Sequence, residues 1–543
     1  MTTQPAHPTV ATSSSRWNGW GAEDTHYPFP SSAQVYLQQR LGPGQPEPDA
    51  SFAQAVTQVP ASRLPDHPLV STDPTERLRH ARGQSFPDWV ALRSGQIEYF
   101  PDGVAYPEND AQVLDLLAYA RDAGLRLVPY GGGTSVVGHI NPLPGPAPVL
   151  TVDLGRLSRL EDLDEDSRLA TFGAGVRGPA LEAQLQARGY TLGHYPQSFE
   201  LSTLGGWIAT RSSGQQSYYY GRIEDLFAGG HVETGLGALD LPPLPASAAG
   251  PDLRQAILGS EGRMGIITRA SLRVRPLPER EAFFGVFFSS WESGVSAVRA
   301  LAQERIPISM ARLSNPQETE TTLELSGKTA LAAWARRGLG WLGYGPRPCL
   351  LIFGVTGSQA AYKSALRQAL DLLHEHGGLY TGQAAGKLWR KSRFLTPYLR
   401  NTLWEHGYAV DTLETAVPWR VVPATAQAIL DGLEQGLQPQ GEAVLAFCHL
   451  SHVYRDGASI YATYLFRRAA SPQATLERWQ ALKAAGSQAI VAHGGTISHQ
   501  HGVGLDHRAY LESEKGPHGM ALLSGMAATL DPDGLFNPGK LFE

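Results

Sequence analysis

The chain has only two cysteines in 543 residues, Cys349 and Cys448. That excludes a disulfide framework and any metal centre built on several thiolates, and both read as small buried residues. It also lacks an excess of positive charge: 45 Lys and Arg stand against 51 Asp and Glu, a formal net charge of -6. The basic footprint of a nucleic-acid binder is therefore missing, and no nucleic acid is expected as a partner. No run approaches the roughly 18 consecutive apolar residues of a membrane-spanning helix. Met1 to Ser15 carries no Lys, Arg or apolar stretch and reads as a disordered start, neither a secretory signal nor a transit peptide. The closing Leu541-Phe542-Glu543 is no peroxisomal address, so a cytoplasmic protein is expected. Glycine (59) and proline (39) are plentiful but short of a low-complexity share, and 42% of residues are hydrophobic. These values describe a folded, loop-rich chain, and its length calls for two or more domains.

The first half alternates apolar elements with glycine. Val113, Leu116, Leu117 and Ala120 repeat at helical spacing after Asn109, and Gly124 is placed to end that helix. A buried strand over Leu125 to Pro129 runs into Gly131, Gly132, Gly133, Thr134 and Ser135, and further strands are predicted at Val149 to Leu154 and Leu169 to Phe172. Gly178 to Gly189 reads as a helix with Pro179 in its first turn. Three glycines after a strand let successive backbone N–H groups converge on an anion such as a pyrophosphate. The loop has neither the Lys of a triphosphate loop nor the spacing of the dinucleotide fingerprint, and alone a glycine triplet is as readily a tight turn. Pro196 to Leu226 has little periodicity and many small hydroxyls and glycines, which suits a long loop walling a large polar cofactor. Around Pro276 to Pro278 the character changes, and Phe283 to Phe288 opens a second domain with its boundary near Glu279.

Three segments, VPYGGGTS (Val128 to Ser135), PQSFELSTLGGWIATRSSG (Pro196 to Gly214) and AILGSEGRMGIIT (Ala256 to Thr268), stand in an order and spacing that resembles the FAD-binding domain of the vanillyl-alcohol oxidase and p-cresol methylhydroxylase type. The resemblance implies an α+β fold: an FAD-binding domain over 91–278 and an α+β cap or substrate domain over 279–510. A helical or extended segment over 16–90 would precede them, and 511–543 would return to the FAD domain. The implied cofactor contacts are Pro129, Tyr130, Gly131, Gly132, Gly133, Thr134 and Ser135 in the first segment. In the second they are Gln197, Ser198, Ser202, Thr203, Gly206, Thr210, Arg211, Ser212, Ser213 and Gly214, and in the third Ser260, Glu261, Gly262, Gly265, Ile266 and Ile267. Where some members tether the flavin through a His, this chain has Thr134, and His139 lies beyond the motif. Non-covalent FAD is implied.

Within that superfamily the chain resembles the alkyldihydroxyacetonephosphate synthase family nearly end to end. RWNGWGAED (Arg16 to Asp24), LTPYLRNTLWEHGYAVDTLETAVPW (Leu395 to Trp419), GASIYATY (Gly457 to Tyr464) and GGTISHQHGVG (Gly494 to Gly504) carry the likeness. It implies a transferase that exchanges an acyl group for a fatty alcohol without net redox, on acyl-dihydroxyacetone phosphate. Tyr461 would be the acid/base, and His499, Gln500 and His501 the equivalents of a cluster that is typically three histidines. Arg312 would be functional and Arg400 would hold the phosphate. No metal is implied. Gln500 can hydrogen-bond but cannot carry a proton, and FNPGK (Phe536 to Lys540) is more like the D-lactate and glycolate dehydrogenases. An FAD-linked dehydrogenase of a 2-hydroxy acid, with His501 as base, is the alternative.

The residues themselves bear on these roles. Alternation in ASIYATYLF puts Ile460 on one strand face and Tyr461 on the other, where a tyrosine is ordinarily packing. As a base it would need its reference pKa of about 10 lowered by a cationic or histidine neighbour. His499 and His501 would project to one face of an extended segment, and SHQHG itself contains no carboxylate to complete a metal site. Lys387, Arg390, Lys391 and Arg393 form either a positive approach for an anionic substrate or a solvated basic face. Leu331 to Tyr344, with Trp334, Trp341, Tyr344, Arg336 and Arg337, suits either a core helix or a membrane interface. Its position in the family favours peripheral contact with lipid, and a homodimer is the expected assembly.

Overall fold

Short Val- and Leu-rich strands between glycine turns build a four-stranded and a five-stranded sheet in the first half of the chain, with Tyr190–Thr191 and Arg275–Pro276 as a separate pair, and longer strands build one large sheet in the second. The computed structural model describes residues 15–325, 338–345 and 347–543. In the first sheet Val70–Ser71, Gly103–Ala105, Val149–Asp153 and Arg126–Tyr130 lie side by side in that order, the last three parallel. Parallel neighbours need a crossover, and helix Asp110–Ala123 supplies it. Asn109 caps its start by accepting the N–H of Gln112, Gly124 (φ 65°) closes it, and Val113, Leu116, Leu117 and Ala120 are its buried face. They pack with Leu127, Leu150 and Val152, and with Leu535 and Phe536 of the tail. The tail thus returns to this half of the molecule.

The second sheet is antiparallel, in the order Leu160–Asp164, Leu169–Gly173, Ile266–Arg273, Phe227–Thr234 and Gly237–Leu241. The third has seven strands, with Met310–Ser314, Val444–Val453, Gly457–Arg467 and Tyr408–Pro418 adjacent at one side. Its register decides which side chains share a face. Tyr461 lies opposite both Glu414 and His449, and His449 lies opposite Ser314, two residues from Arg312. Ile460, Ala462, Tyr464 and Phe466 point the other way, into the core formed with helices Val422–Gln435 and Pro472–Ala492.

The segment 16–90 is not separate. Val70–Ser71 is an edge strand of the first sheet, while Phe86 and Trp89 belong to the core of the large sheet. Nor does the second half extend to residue 510, because Val503 packs with the five-stranded sheet and Leu505 N–H donates to the Val137 carbonyl. Pro196 to Leu226 is not one long loop. It contains helices Leu204–Thr210, Ser217–Tyr220 and Ile223–Leu226, each too short to show a helical period. The expectation of disorder for Met1 to Ser15 falls on residues outside the described ones except Ser15, and of Leu331 to Tyr344 only 338–344 is described.

Candidate active site

The glycine loop lies directly on the second segment. A Cβ on Gly131 would sit 2.1 Å from Thr203 Oγ1, one on Gly132 would sit 1.9 Å from the Leu201 carbonyl oxygen, and Gly133 has φ +68°. Gly132 permits close approach of backbone to backbone, and Gly131 that of the Thr203 hydroxyl. Among the described residues the N–H groups of Gly131, Gly132, Gly133, Thr134 and Ser135 have no acceptor within the protein. Five consecutive unpaired donors in a partly accessible loop are left for an anion, and the donor set fits a pyrophosphate.

Four hydroxyls of the second segment, those of Ser202, Thr210, Ser212 and Ser213, are bonded to protein groups, whereas those of Ser198 and Thr203 have no hydrogen-bond partner among the described residues. Ser202 Oγ donates to the Ser198 carbonyl (2.9 Å) and accepts from Trp207 Nε1 (2.7 Å). Thr210 donates to the Gly206 carbonyl, Ser212 meets His194 Nε2 at 2.7 Å, and Ser213 meets His452 Nδ1 at 3.1 Å. Gln197 is exposed and bonded to Gln215 and to the Arg393 carbonyl, while Arg211 bonds Gln255. Small hydroxyls in short helices bond nearby groups first, leaving backbone N–H groups and the Ser198 and Thr203 hydroxyls as the free donors. In the third segment Ile266 and Ile267 are buried core residues whose strand pairs with Glu233 and Val232, so their side chains are not cofactor contacts.

Glu261 joins this segment to the second half. Its carboxylate accepts the N–H of Val503 (2.6 Å) and Gly504 (2.8 Å) and lies 3.2 Å from His139 Nε2. His139 Nδ1 is 2.9 Å from Ser135 Oγ. His139 is buried, with Nδ1 on Ser135 and Nε2 facing Glu261, and is not presented as a covalent tether, which fits dissociable FAD.

On the large sheet, Tyr461 is sandwiched. The His449 ring stacks on it at 5.0 Å between centroids, the His501 ring meets it edge-on at 5.7 Å, and its hydroxyl donates to Thr412 Oγ1 at 3.3 Å. Burial raises the Tyr461 pKa above the usual range; the Thr412 hydrogen bond opposes this and the Glu414 and Asp411 carboxylates add to it. The expected lowering is absent because burial of the phenol outweighs the opposing Thr412 hydrogen bond and the Arg312 charge, and the phenol stays protonated at neutral pH. Arg312 Nη2 donates to Glu318 Oε1 (2.7 Å), and His449 Nδ1 is 2.9 Å from the same oxygen. Burial opposes ionisation of Glu318, yet Arg312 and His449 pull its pKa down to about 2.

His499 and His501 do not share a face. The Ser498 to His501 stretch is a bend rather than an extended strand. His499 Nε2 lies 2.6 Å from both Arg222 Nη1 and Tyr454 Oη, buried beside His452. His501 turns instead to Tyr461 and Glu414. Gln500 donates its N–H to Glu414, and its side-chain oxygen is buried without a partner.

Arg400 stands away from Tyr461. Its guanidinium is 4.3 Å from the Trp89 ring centroid, donates to the Gln84 carbonyl and lies near Phe86. Phe86 packs on Phe466 and Trp479, so Arg400 belongs to the helix-covered face of the sheet and does not join Tyr461 there. Burial lowers its pKa to about 10, which leaves it cationic. Arg312 is the arginine on the Tyr461 face. Arg393 is likewise buried, over Tyr195 and Phe394, and is no part of a surface approach. Glu414, His449, Glu318, Thr412, Arg222 and Tyr454 escaped the sequence reading, since only strand register and loop return bring them in.

Residues 101–239 match the model of an FAD binding domain, and 277–541 that of the C-terminal domain of FAD linked oxidases. The chain is 30% identical over 502 residues to the alkyldihydroxyacetonephosphate synthase of Dictyostelium discoideum, covering 91% of this chain and 82% of that protein. It is 28% identical to the Caenorhabditis elegans protein of the same name, over 97% and 95% of the two chains. A solved alkyldihydroxyacetonephosphate synthase structure superposes with a TM-score of 0.83 at 26% identity, covering 97% of this chain and 99% of that one. The chain belongs to the alkyldihydroxyacetonephosphate synthase family.

Proposed function

We propose that the protein exchanges the acyl group of acyl-dihydroxyacetone phosphate for the alkoxy group of a fatty alcohol, with FAD held non-covalently and no net redox change. The observation that carries this reading is the packing of protonated Tyr461 between His449 and His501, on the sheet face that also holds Arg312. FAD, when bound, supplies an electron-poor ring system beside the substrate carbon. Gly131 to Ser135 would hold its pyrophosphate through their N–H groups. Arg312 keeps Glu318 and Ser314 as partners and has donors left for the substrate phosphate. Tyr461 donates its proton to the departing acyl oxygen. His501 takes the proton of the incoming alcohol, and Gln500 beside it carries none.

The exposed Trp341 (94%) and Leu342 (64%) support a peripheral contact of this turn with the lipid surface that delivers both substrates, within the cytoplasm. A homodimer is part of the same reading. No helix among the described residues is long and apolar enough to cross a membrane.

Mass spectrometry of products from acyl-dihydroxyacetone phosphate and a fatty alcohol tests the exchange. Alkyl-dihydroxyacetone phosphate and free fatty acid, formed without an electron acceptor, are the expected result. Anaerobic bleaching of the flavin by D-lactate or glycolate, with no alkyl product, would overturn it in favour of a dehydrogenase.

A further inference from the structure

The turn that carries His501 hangs on a single oxygen. Glu414 Oε1 accepts the N–H of Gln500 at 2.7 Å and of His501 at 2.6 Å, takes the Ser498 hydroxyl at 3.2 Å, and lies 3.5 Å from His501 Nδ1. Glu414 is 2% exposed, whereas His501 keeps accessible surface. The same Glu414 stands directly opposite Tyr461 across the antiparallel pair, where side chains are about 5 Å apart at Cβ. One buried carboxylate therefore fixes the backbone of the His501 turn to the strand that faces Tyr461.

A carboxylate only accepts hydrogen bonds. With Nδ1 the ring nitrogen nearest Glu414, the proton of a neutral His501 belongs on Nδ1 and the lone pair on Nε2. Carboxylates behind histidines orient catalytic and metal-bound imidazoles in the same way. Gln500 reinforces the point, since its backbone N–H serves this anchor while its side chain has no proton to move.

We infer that Glu414 is the positioning residue of the reaction proposed above, on which this inference rests: it holds His501 as the Nδ1–H tautomer, so that Nε2 takes the proton of the fatty alcohol. In that step the alcohol O–H bond breaks, the N–H bond forms at Nε2, and the electron pair stays on the oxygen that attacks the substrate carbon. As the new C–O bond forms, the bond from the same carbon to the acyloxy group breaks with its electron pair on the departing oxygen, which takes the Tyr461 proton; His501 Nε2 then returns its proton to Tyr461, so acyl ester and alcohol become alkyl ether and acid with no oxidant consumed.

The test uses the FAD-loaded full chain and its Glu414→Gln and Glu414→Asp variants. Glutamine keeps an oxygen for the Gln500 and His501 N–H groups but loses the charge behind the imidazole. Expected for Glu414→Gln are a fall in kcat of roughly 30-fold or more, KM for both substrates within about threefold, unchanged flavin content and partial recovery of kcat in Glu414→Asp. Loss of flavin content or a rise in KM in proportion to kcat would reduce Glu414 to a structural anchor and overturn the inference. So would near-wild-type kcat. A readout independent of turnover is 15N NMR of histidine-labelled protein, with the His501 signals assigned by a His501→Gln variant. The Nδ1–H pattern is expected in the wild type and a tautomer mixture in Glu414→Gln; an Nε2–H pattern in the wild type overturns the inference even if exchange is confirmed. Should the wild type catalyse no exchange, the proposed reaction fails on its own, and the Nδ1–H assignment is then read from the spectra alone.

Discussion

His449 lies flat on Tyr461, with ring centroids 5.0 Å apart and planes within 20°. It is itself gripped by Glu318, whose carboxylate Arg312 holds on the other side. Three side chains from two strands and a helix thereby determine where the phenol stands.

Tyr461→Phe removes only the hydroxyl, so packing on His449 and His501 should persist. If the phenol moves a proton, exchange activity falls by about 100-fold or more while flavin content and melting temperature stay at wild-type values. Product formation followed by mass spectrometry, beside the flavin absorbance spectrum, checks this.

Gly132→Ala would place a methyl carbon 1.9 Å from the Leu201 carbonyl oxygen, and the atoms it meets are all backbone of Leu201 and Ser202. The loop must move off the second segment. Protein purified from this variant is expected to be colourless or nearly so, and fluorescence titration with FAD should show affinity lowered by at least 10-fold.

Arg400→Met separates a structural arginine from a substrate-binding one. Losing the bond to the Gln84 carbonyl and the stack on Trp89 should cost about 2 kcal/mol of stability, read as a lower urea midpoint. KM for the phosphate-bearing substrate should stay within about twofold. A 10-fold rise in KM at unchanged stability would return the phosphate to Arg400.

Asp506 lies in the half-buried stretch after the histidine turn, and burial raises its pKa to about 7, with Lys483 opposing and Asp411 and Asp88 adding to the rise. A carboxyl raised in the folded state binds its proton more tightly there than in the unfolded chain, where the value is about 4. Its contribution to stability is complete below about 4 and is lost as pH rises through about 7. Asp506→Asn should therefore flatten the decline between these limits, a difference of up to about 4 kcal/mol, measured by urea unfolding at several pH values.

Much of the first half was legible in advance. The spacing of Val113, Leu116, Leu117 and Ala120 marks a helix because the period is local, and Asn109 and Gly124 cap it for equally local reasons. The glycine triplet announced a backbone concavity, and the loop's unpaired donors agree with it. What misled were the hydroxyls of Ser202, Ser212 and Ser213: a sequence shows that a donor exists, not that Trp207, His194 or His452 has already claimed its oxygen.

By itself the sequence determined many of the elements and the glycine loop, because each depends on residue type or short-range spacing, while Tyr461, His501 and Arg312 were singled out by the family resemblance. Only the tertiary structure decided that Arg400 stands on the other face from Tyr461, that His499 and His501 part company, and that Glu414 underlies the histidine turn. Those outcomes follow from strand register across pairs distant in sequence, and a register shift of one residue would exchange the two faces.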